Sequence, residues 1–379
     1  MICVISVLFL TGCWDKKELN QVAVVIGVGL DLSSEDTYEI TAQVIKPSAS
    51  GMGGGGSELP TWSLTASGKT VMDAITQLNR ISPRRMYWPH LQIIIFGEKL
   101  AKKGVAPVIT WFERDRDSRT GTYVVTTKGK AKDLLNHKIE LGNVPAKAMA
   151  GLLNTAKIRQ ISVQQITMRE FMSTLTTPGV SAALDVIDSK VIRGKVETYQ
   201  LSGIALFRED KLVGYVTGAA TNGTSIANND FNNTTIKCVC PGSKGEFLTY
   251  QVTDFSNKVR PVVKDDQITL TMRIFIEGNL SDQTCKEDLV DPKMMKAVED
   301  QVRLQIKRDV LAVFTEASSL KVDVLGIGRE VRRYYPNVWH NIADRWTDIL
   351  PQVALDIQVD AHIRRSGLIF RPTNTKLKY

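Results

Sequence analysis

The hexapeptide TASGKT at residues 65–70 ends in the Gly-Lys-Thr of a phosphate-binding loop. Such a loop wraps phosphates with backbone amides and needs a further glycine five residues ahead of the one before the lysine. Ser63 stands there instead, and residues 61–66 read as strand rather than loop. Ser67 is the expected N-cap of a helix over 69–81, because a serine hydroxyl accepts from the free amides of a first turn. Gly326-Ile327-Gly328 lacks the third glycine of a dinucleotide fingerprint and follows no strand. His90, His137, His340 and His362 stand far apart, and none belongs to a paired metal motif. No Gly-x-Ser-x-Gly elbow occurs. Cys238-Val239-Cys240 puts two thiols on one face of an expected strand, and Cys285 can pair with either. Three packed, unbonded thiols are the alternative, and a zinc site lacks a fourth ligand at regular spacing. Nothing local argues for catalysis, so the chain reads as a non-enzyme without cofactor or metal.

The elements around these residues are those of a folded protein. A hydrophobic content of 43% and a charged content of 23% are ordinary for globular chains. A length of 379 residues suits two or three domains. The 48 basic residues exceed the 40 acidic ones, for a net charge of +8, without a run of five lysines or arginines. That pattern describes a mildly basic surface, compatible with weak attraction to anionic lipid, and nucleic acid is not an expected partner.

The first residues are different. An apolar run from Ile2 to Leu10 ends at Thr11-Gly12-Cys13, and a charged sequence starts at once behind it. The run is too short to span a bilayer and reads as the core of a secretory signal. No Lys or Arg precedes it, so the true start is expected upstream or at another start codon. Leu10-Thr11-Gly12-Cys13 looks like a bacterial lipobox, in which the cysteine thiol carries diacylglycerol. One acyl chain anchors only marginally, so stable attachment takes two or more, which a lipidated cysteine supplies. No later stretch reaches the ~18–20 apolar residues of a spanning helix.

Further along, residues 22–32 and 37–47 are rich in β-branched side chains and read as a hairpin. The glycine-rich segment 51–59 reads as a mobile loop. LQIIIFG at 91–97 is a continuous apolar run, the pattern of a central strand. Helices are expected over 100–113, 131–136, 145–155 and 168–175, and strands over 120–127 and 181–187. After a polar boundary at 188–197, strands return. Ile268, Leu270, Met272, Ile274 and Ile276 alternate, as do Val353, Leu355, Ile357, Val359, Ala361 and Ile363. Between them a long helix over 292–316 carries Met295, Val298, Val302, Ile306, Val310 and Val313 on one stripe. A helix from Pro336 places Trp339, Ile342, Ala343 and Trp346 on one face, with the right spacing to lie on the last strand. The fold class is α/β (α+β mixed), in two to three domains, each with a mixed or antiparallel sheet flanked by helices. The expected division is a signal at 1–12, a lipidated tether at 13–21, an N-terminal domain at 22–190 that can divide into two subdomains, and a C-terminal domain at 191–379.

Several stretches together resemble the Ger(x)C family, the lipoprotein C subunit of bacterial spore germinant receptors. They are GCWDKKELN behind the lipobox, RISPRRMYWPHLQIIIFGEKLAKKG at 80–104, WFERDRDSRT at 111–120 and GIALFREDKLVG at 203–214. DVLGIGREVRRYYPNVWHNIADRW at 323–346 and HIRRSG at 362–367 complete the order. The resemblance implies mixed α/β domains and a non-enzymatic subunit, lipid-anchored on the outer face of the spore inner membrane. Its implied partners are an integral-membrane A subunit, a transporter-like B subunit and membrane lipid through the Cys13 diacylglycerol. Only Cys13 takes a defined role from it. Trp14, Asp15, Glu18 and Leu19 match the signature with their role open: local packing and capping, or partner contact. The Gly/Asn/Thr-rich segment 217–233 departs from the family pattern, where a more helical stretch is expected. Together with the glycine-rich loop it is the surface expected to order on contact with a partner. The rival reading is a lipid-anchored envelope binding protein for a small molecule or polymer, which a cleft between the two halves would favour.

Overall fold

Runs of β-branched and aliphatic residues build the centre of a nine-stranded sheet. In the computed structural model β1 (Val22–Leu32) is buried almost throughout, and β5 (Ile93–Phe96) is buried at all four positions. Strands with apolar residues on both faces need cover on both sides. The strand order is β3 (Thr61–Gly68), β2 (Tyr38–Ile45), β1, β5, β6 (Tyr123–Thr126), β7 (Ala183–Ile192), β8 (Val196–Arg208), β9 (Lys211–Val216). A short β4 (Arg85–Tyr87) lies parallel to the start of β1. β1, β5, β6 and β7 run parallel, and the outer strands are antiparallel hairpins. The description covers residues 21–365 apart from 34, 47–60, 116–118, 138, 140–143, 157, 159–160, 162, 193, 195, 244, 266 and 290.

Helices α1 (Val71–Ile81), α2 (Glu98–Lys103), α3 (Ala106–Arg114) and α6 (Met168–Thr176) cover one face. The other is covered by α4 (Ala131–Asn136) and α5 (Pro145–Ala156). Two glycines of β1 let the second layer sit close, since a Cβ at Gly27 would collide with Ala146 and one at Gly29 would press on Ala131. Gln43, buried on β2, fixes the same layer: its Nε2 donates to the Leu135 carbonyl at 2.7 Å, and its Oε1 accepts from Ala146 N at 2.9 Å.

A second sheet holds β10 (Thr235–Val239), β11 (Phe247–Lys264), β12 (Gln267–Gln283) and β13 (Ala354–Arg365) in that order. β10–β12 are antiparallel and β13 joins β12 in parallel. The alternating residues Ile268 to Ile276 of β12 are all buried, as are Val353, Ile357 and Ala361 of the last alternation. The long helix α8 (Pro292–Ser319) lies over this sheet and buries Val298, Val302, Ile306, Val310 and Val313. It starts where Asp291 accepts from the amides of Lys293 and Met294, with Pro292 at its first turn.

Three expectations need correction. The helix expected from 69 begins at Val71 with Thr70 as its cap, and Ser67 belongs to β3. The helix expected over 100–113 is two helices, broken at Gly104, whose φ of +134° suits only glycine. Asp210 holds the break, accepting from Val105 N through its carbonyl at 3.0 Å and from Ala106 N through Oδ2 at 2.9 Å. The segment 217–233, expected as a surface that orders on contact, contains helix α7 (Ala219–Ala227), with Ala220, Gly223, Thr224, Ser225 and Ile226 buried. Small residues are what this helix needs, because a Cβ at Gly223 would strike the carbonyl of Asp309 on α8. The first sheet also runs past position 190, since β8 and β9 pair onto β7. The glycine-rich segment 51–59 lies outside the described residues.

Candidate functional site

The residues with chemical promise are placed in ways that consume it. In the TASGKT stretch Lys69 N donates to Asp73 Oδ2 at 3.0 Å and Asp73 N to Thr70 Oγ1 at 3.1 Å, so these amides already have acceptors. At Gly326-Ile327-Gly328 the amides of Ile327 and Gly328 donate to Asp323 Oδ1 and Oδ2 at 2.9 and 2.8 Å. Cys240 and Cys285 form a disulfide, and Cys238 is a buried free thiol that burial pushes up to about 12. The four histidines sit on separate elements, and among the described residues no cluster of His, Cys, Asp or Glu could hold a metal ion.

The sheet suggests where a small ligand would go. The chain leaves β1 toward β2 on one side and β5 toward β6 on the other, so the crevice of an open α/β sheet lies beyond the carboxyl ends of β1 and β5. Asp31 fills it. Its carboxylate is buried and accepts from Ala131 N and Lys132 N at 2.9 Å each, capping α4. Burial raises its pKa, and the two amide bonds oppose that shift. A Cβ at Gly97 would collide with this carboxylate, so glycine leaves the room it occupies.

At the opposite end of the same strands the segments ahead of β5 and β6 converge. Pro89, His90 and Gln92 ahead of β5 face Arg119, Thr120 and Tyr123 at the start of β6, across a cleft of about 700 Å³ that Asn154 closes from α5. Tyr123 donates its hydroxyl to Asn154 Oδ1 at 2.6 Å, and its amide donates to the Gln92 carbonyl at 3.1 Å. The chain enters at this end, where the carbonyl of Gln21 accepts from Arg85 N at 3.2 Å. Cys13, Trp14, Asp15, Glu18 and Leu19 lie outside the described residues.

Between the two sheets runs a polar seam centred on Asp323, a residue to which the sequence reading gave no role. Asp323 is buried; besides the two amides of α9 (Ile327–Tyr334) it accepts from Trp346 Nε1 at 3.0 Å. Burial pushes it up to about 6 against these bonds. Its backbone bridges the sheets: Ser181 N donates to the Asp323 carbonyl at 2.8 Å, and Asp323 N to Ser181 Oγ at 3.0 Å. Arg329 N donates to the Gly179 carbonyl at 2.7 Å, and Gly179 and Gly328 approach so closely that a Cβ on either would collide. Trp339 and Trp346 pack edge-to-face at 5.5 Å, and both close on Gly328. A cleft of about 620 Å³ opens beside the seam, lined by Thr177, Ser181, Glu209, Lys321 and the two tryptophans. The available signal was the spacing of Asp323 four and five residues ahead of Ile327 and Gly328, a helix cap of unusual reach.

Two sheets flanked by helices and joined by a hydrogen-bonded seam define a mixed α/β protein. The chain belongs to the spore germination family of GerAC-like proteins. The family's "Spore germination protein N-terminal domain" matches residues 15–189, and its "Spore germination B3/ GerAC like, C-terminal" domain matches residues 202–367. Spore germination protein KC of Bacillus subtilis (strain 168) is 25% identical over 398 residues, covering 100% of this chain and 98% of that one. Spore germination protein A3 of the same organism is 26% identical over 378 residues, covering 96% of each. The crystal structure of the GerBC protein has the same fold, with a TM-score of 0.57 at 17% identity over 92% of this chain and 100% of that one. Among the described residues no helix is long and apolar enough to cross a membrane.

Proposed function

We propose that the chain is the lipoprotein subunit of a nutrient germinant receptor, held on the outer face of the spore inner membrane by diacylglycerol on Cys13. It acts without catalysis, through contacts with integral-membrane A and B subunits. The observation that carries this reading is similarity to spore germination proteins over nearly the whole chain, with the two family domains in order. The Cys240–Cys285 bond supports an extracytoplasmic setting, because structural disulfides persist in oxidising compartments. The lipobox at 10–13 supports the anchor. The test is purification of the tagged full chain from spore membranes, with identification of what comes with it. Co-purification of the A and B subunits, and its loss together with membrane attachment in Cys13→Ala, is the expected result. A chain that pellets with membranes at high salt without Cys13 refutes the anchor.

The envelope binding-protein reading has one observation behind it, the 620 Å³ cleft beside the seam. A tight small-molecule site presents a few convergent polar groups to its ligand. Here the buried Asp323 carboxylate is engaged by the chain's own amides and by Trp346. Calorimetry of the full chain with amino acids, sugars and nucleosides decides between the two, and saturable binding at germinating concentrations promotes the rival.

A further inference from the structure

The amino ends of the parallel strands carry side chains that a water-facing rim does not need. Among the described residues seven large apolar side chains are strongly exposed on the first sheet, its helices and their connections: Trp62, Met72, Ile81, Ile158, Ile161, Val191 and Ile192. Four of them gather at this one end. Trp62, 44% exposed, pairs with Val44, which pairs with Val25 near the start of β1. Ile81, 55% exposed, ends the helix that leads into Arg85, the partner of Val22. Ile158, 80% exposed, and Ile161 follow α5 beyond Asn154, which holds Tyr123 at the start of β6. Arg80 in the last turn of α1, Arg84 just behind it and Arg119 ahead of β6 lie at the same end, with Arg80 also donating to Gln77 Oε1 at 3.3 Å. Of the acids at this end, Glu170 is held by Thr167 in a capping box, while Glu113 and Asp115 at the end of α3 stand among the arginines.

We infer that this end of the first sheet is the lipid-facing surface, with Trp62, Ile81, Ile158 and Ile161 seated among the headgroups of an anionic bilayer. The inference rests on the Cys13 anchor proposed above. Eight residues separate Cys13 from Val22, and at ~3.3–3.6 Å each they reach no more than about 30 Å. The tether therefore ends at the rim that carries the isoleucines. The carboxyl end of β1 lies roughly 35 Å further away along the strand. A tryptophan beside scattered isoleucines and arginines is the composition of an interfacial surface, where the ring sits at headgroup level and guanidinium groups meet phosphates. Lipid fits better than a protein partner, because the apolar side chains are dispersed among charges. A stable protein interface presents a continuous apolar centre.

The experiment is amide hydrogen exchange on the full chain, lipidated at Cys13 and bound to phosphatidylglycerol–phosphatidylethanolamine vesicles, against the Cys13→Ala chain in solution. Exchange in residues 82–91 and 154–161 is expected to slow about tenfold on vesicles, while the β11–β12 turn at the far sheet exchanges as in solution. Flotation of the same samples separates the two readings. A lipidated chain that does not float overturns the anchor and this inference with it. Flotation without slowing at this end overturns the orientation alone. Slowing that requires added A and B subunits makes the surface a protein contact and overturns the lipid assignment. Ile158→Glu combined with Ile161→Glu is expected to return residues 154–161 to the solution rate while the chain still floats, and undiminished protection in that variant also overturns it.

Discussion

Trp346→Ala tests whether the tryptophan pair is the keystone of the seam. Trp346 is 6% exposed, packs edge-to-face on Trp339, closes on Gly328 and donates to Asp323. Removing a buried tryptophan costs ~3–5 kcal/mol in transfer and cavity terms. Part of that is the indole bond to a carboxylate, a class worth ~1.5–3 kcal/mol. Trp346→Phe keeps most of the ring and deletes the N–H, so it isolates the bond and should cost about 1–2 kcal/mol. At about 2–4 °C per kcal/mol for a unit of this size, Trp346→Ala should lower the Tm by about 10 °C and Trp346→Phe by about 4 °C. Scanning calorimetry of the full Cys13→Ala chain reads both. A cycle with Asp323→Asn should return a coupling of roughly 1 kcal/mol, since the two side chains touch. A Trp346→Ala melt within about 1 °C of the parent, paired with lost receptor assembly, would refute the packing argument and make the helix a partner contact.

Reduction, or Cys285→Ser, opens a loop of 45 residues and should cost about 4 kcal/mol by loop entropy, seen as a lower denaturant midpoint; a midpoint indifferent to reductant would count against the bond. Burial pushes the Asp309 carboxyl up to about 6, against weaker opposition from its bonds with Asn222 and Gln305. The folded chain thus binds that proton more tightly than the unfolded one, and stability rises as pH falls from about 6 to 4, by up to ~3 kcal/mol. Asp323 adds a slope of the same sign, so Asp309→Asn should remove about half of the pH dependence of the Tm, and an unaltered slope would contradict the assignment. Gly223→Ala forces α7 off the Asp309 carbonyl and should cost ~1–3 kcal/mol in a thermal melt, whereas a neutral effect would mean that the two helices pack less closely than described.

Periodicity made the strands and the long helix legible. The continuous run at 93–96 and the alternation at 268–276 depend only on which faces are buried, and α8 carries its aliphatic stripe from Val298 to Val313, about four turns. Helix starts were less legible, because Ser67 and Thr70 are both good caps and only the pairing of β3 with β2 decides between them. Helix α7 escaped notice because its burial depends on small residues pressed against a neighbour remote in sequence. The seam escaped for the same reason. Gly179 and Gly328 meet across about two fifths of the 379-residue chain, and local spacing carries no trace of such a contact. The choice of Cys240 over Cys238 as partner for Cys285 was also tertiary: Cys238 faces the core beside Asp309 and Tyr250.

The two family domains meet within a hairpin rather than at a linker. β7 and β8 pair from Ala183 with Leu206 to Ile192 with Val196, and β9 extends the sheet into the second unit. There Gly214 of β9 receives Leu320 from the end of α8, with room for no Cβ between them. Load applied to the second unit is therefore carried into the first by strands in shear, the stiffest direction of a sheet, and by a helix end wedged against its edge. A cut at the domain boundary therefore removes β8 and β9, two strands of the first unit's own sheet, and leaves β7 as an unpaired, adhesive edge.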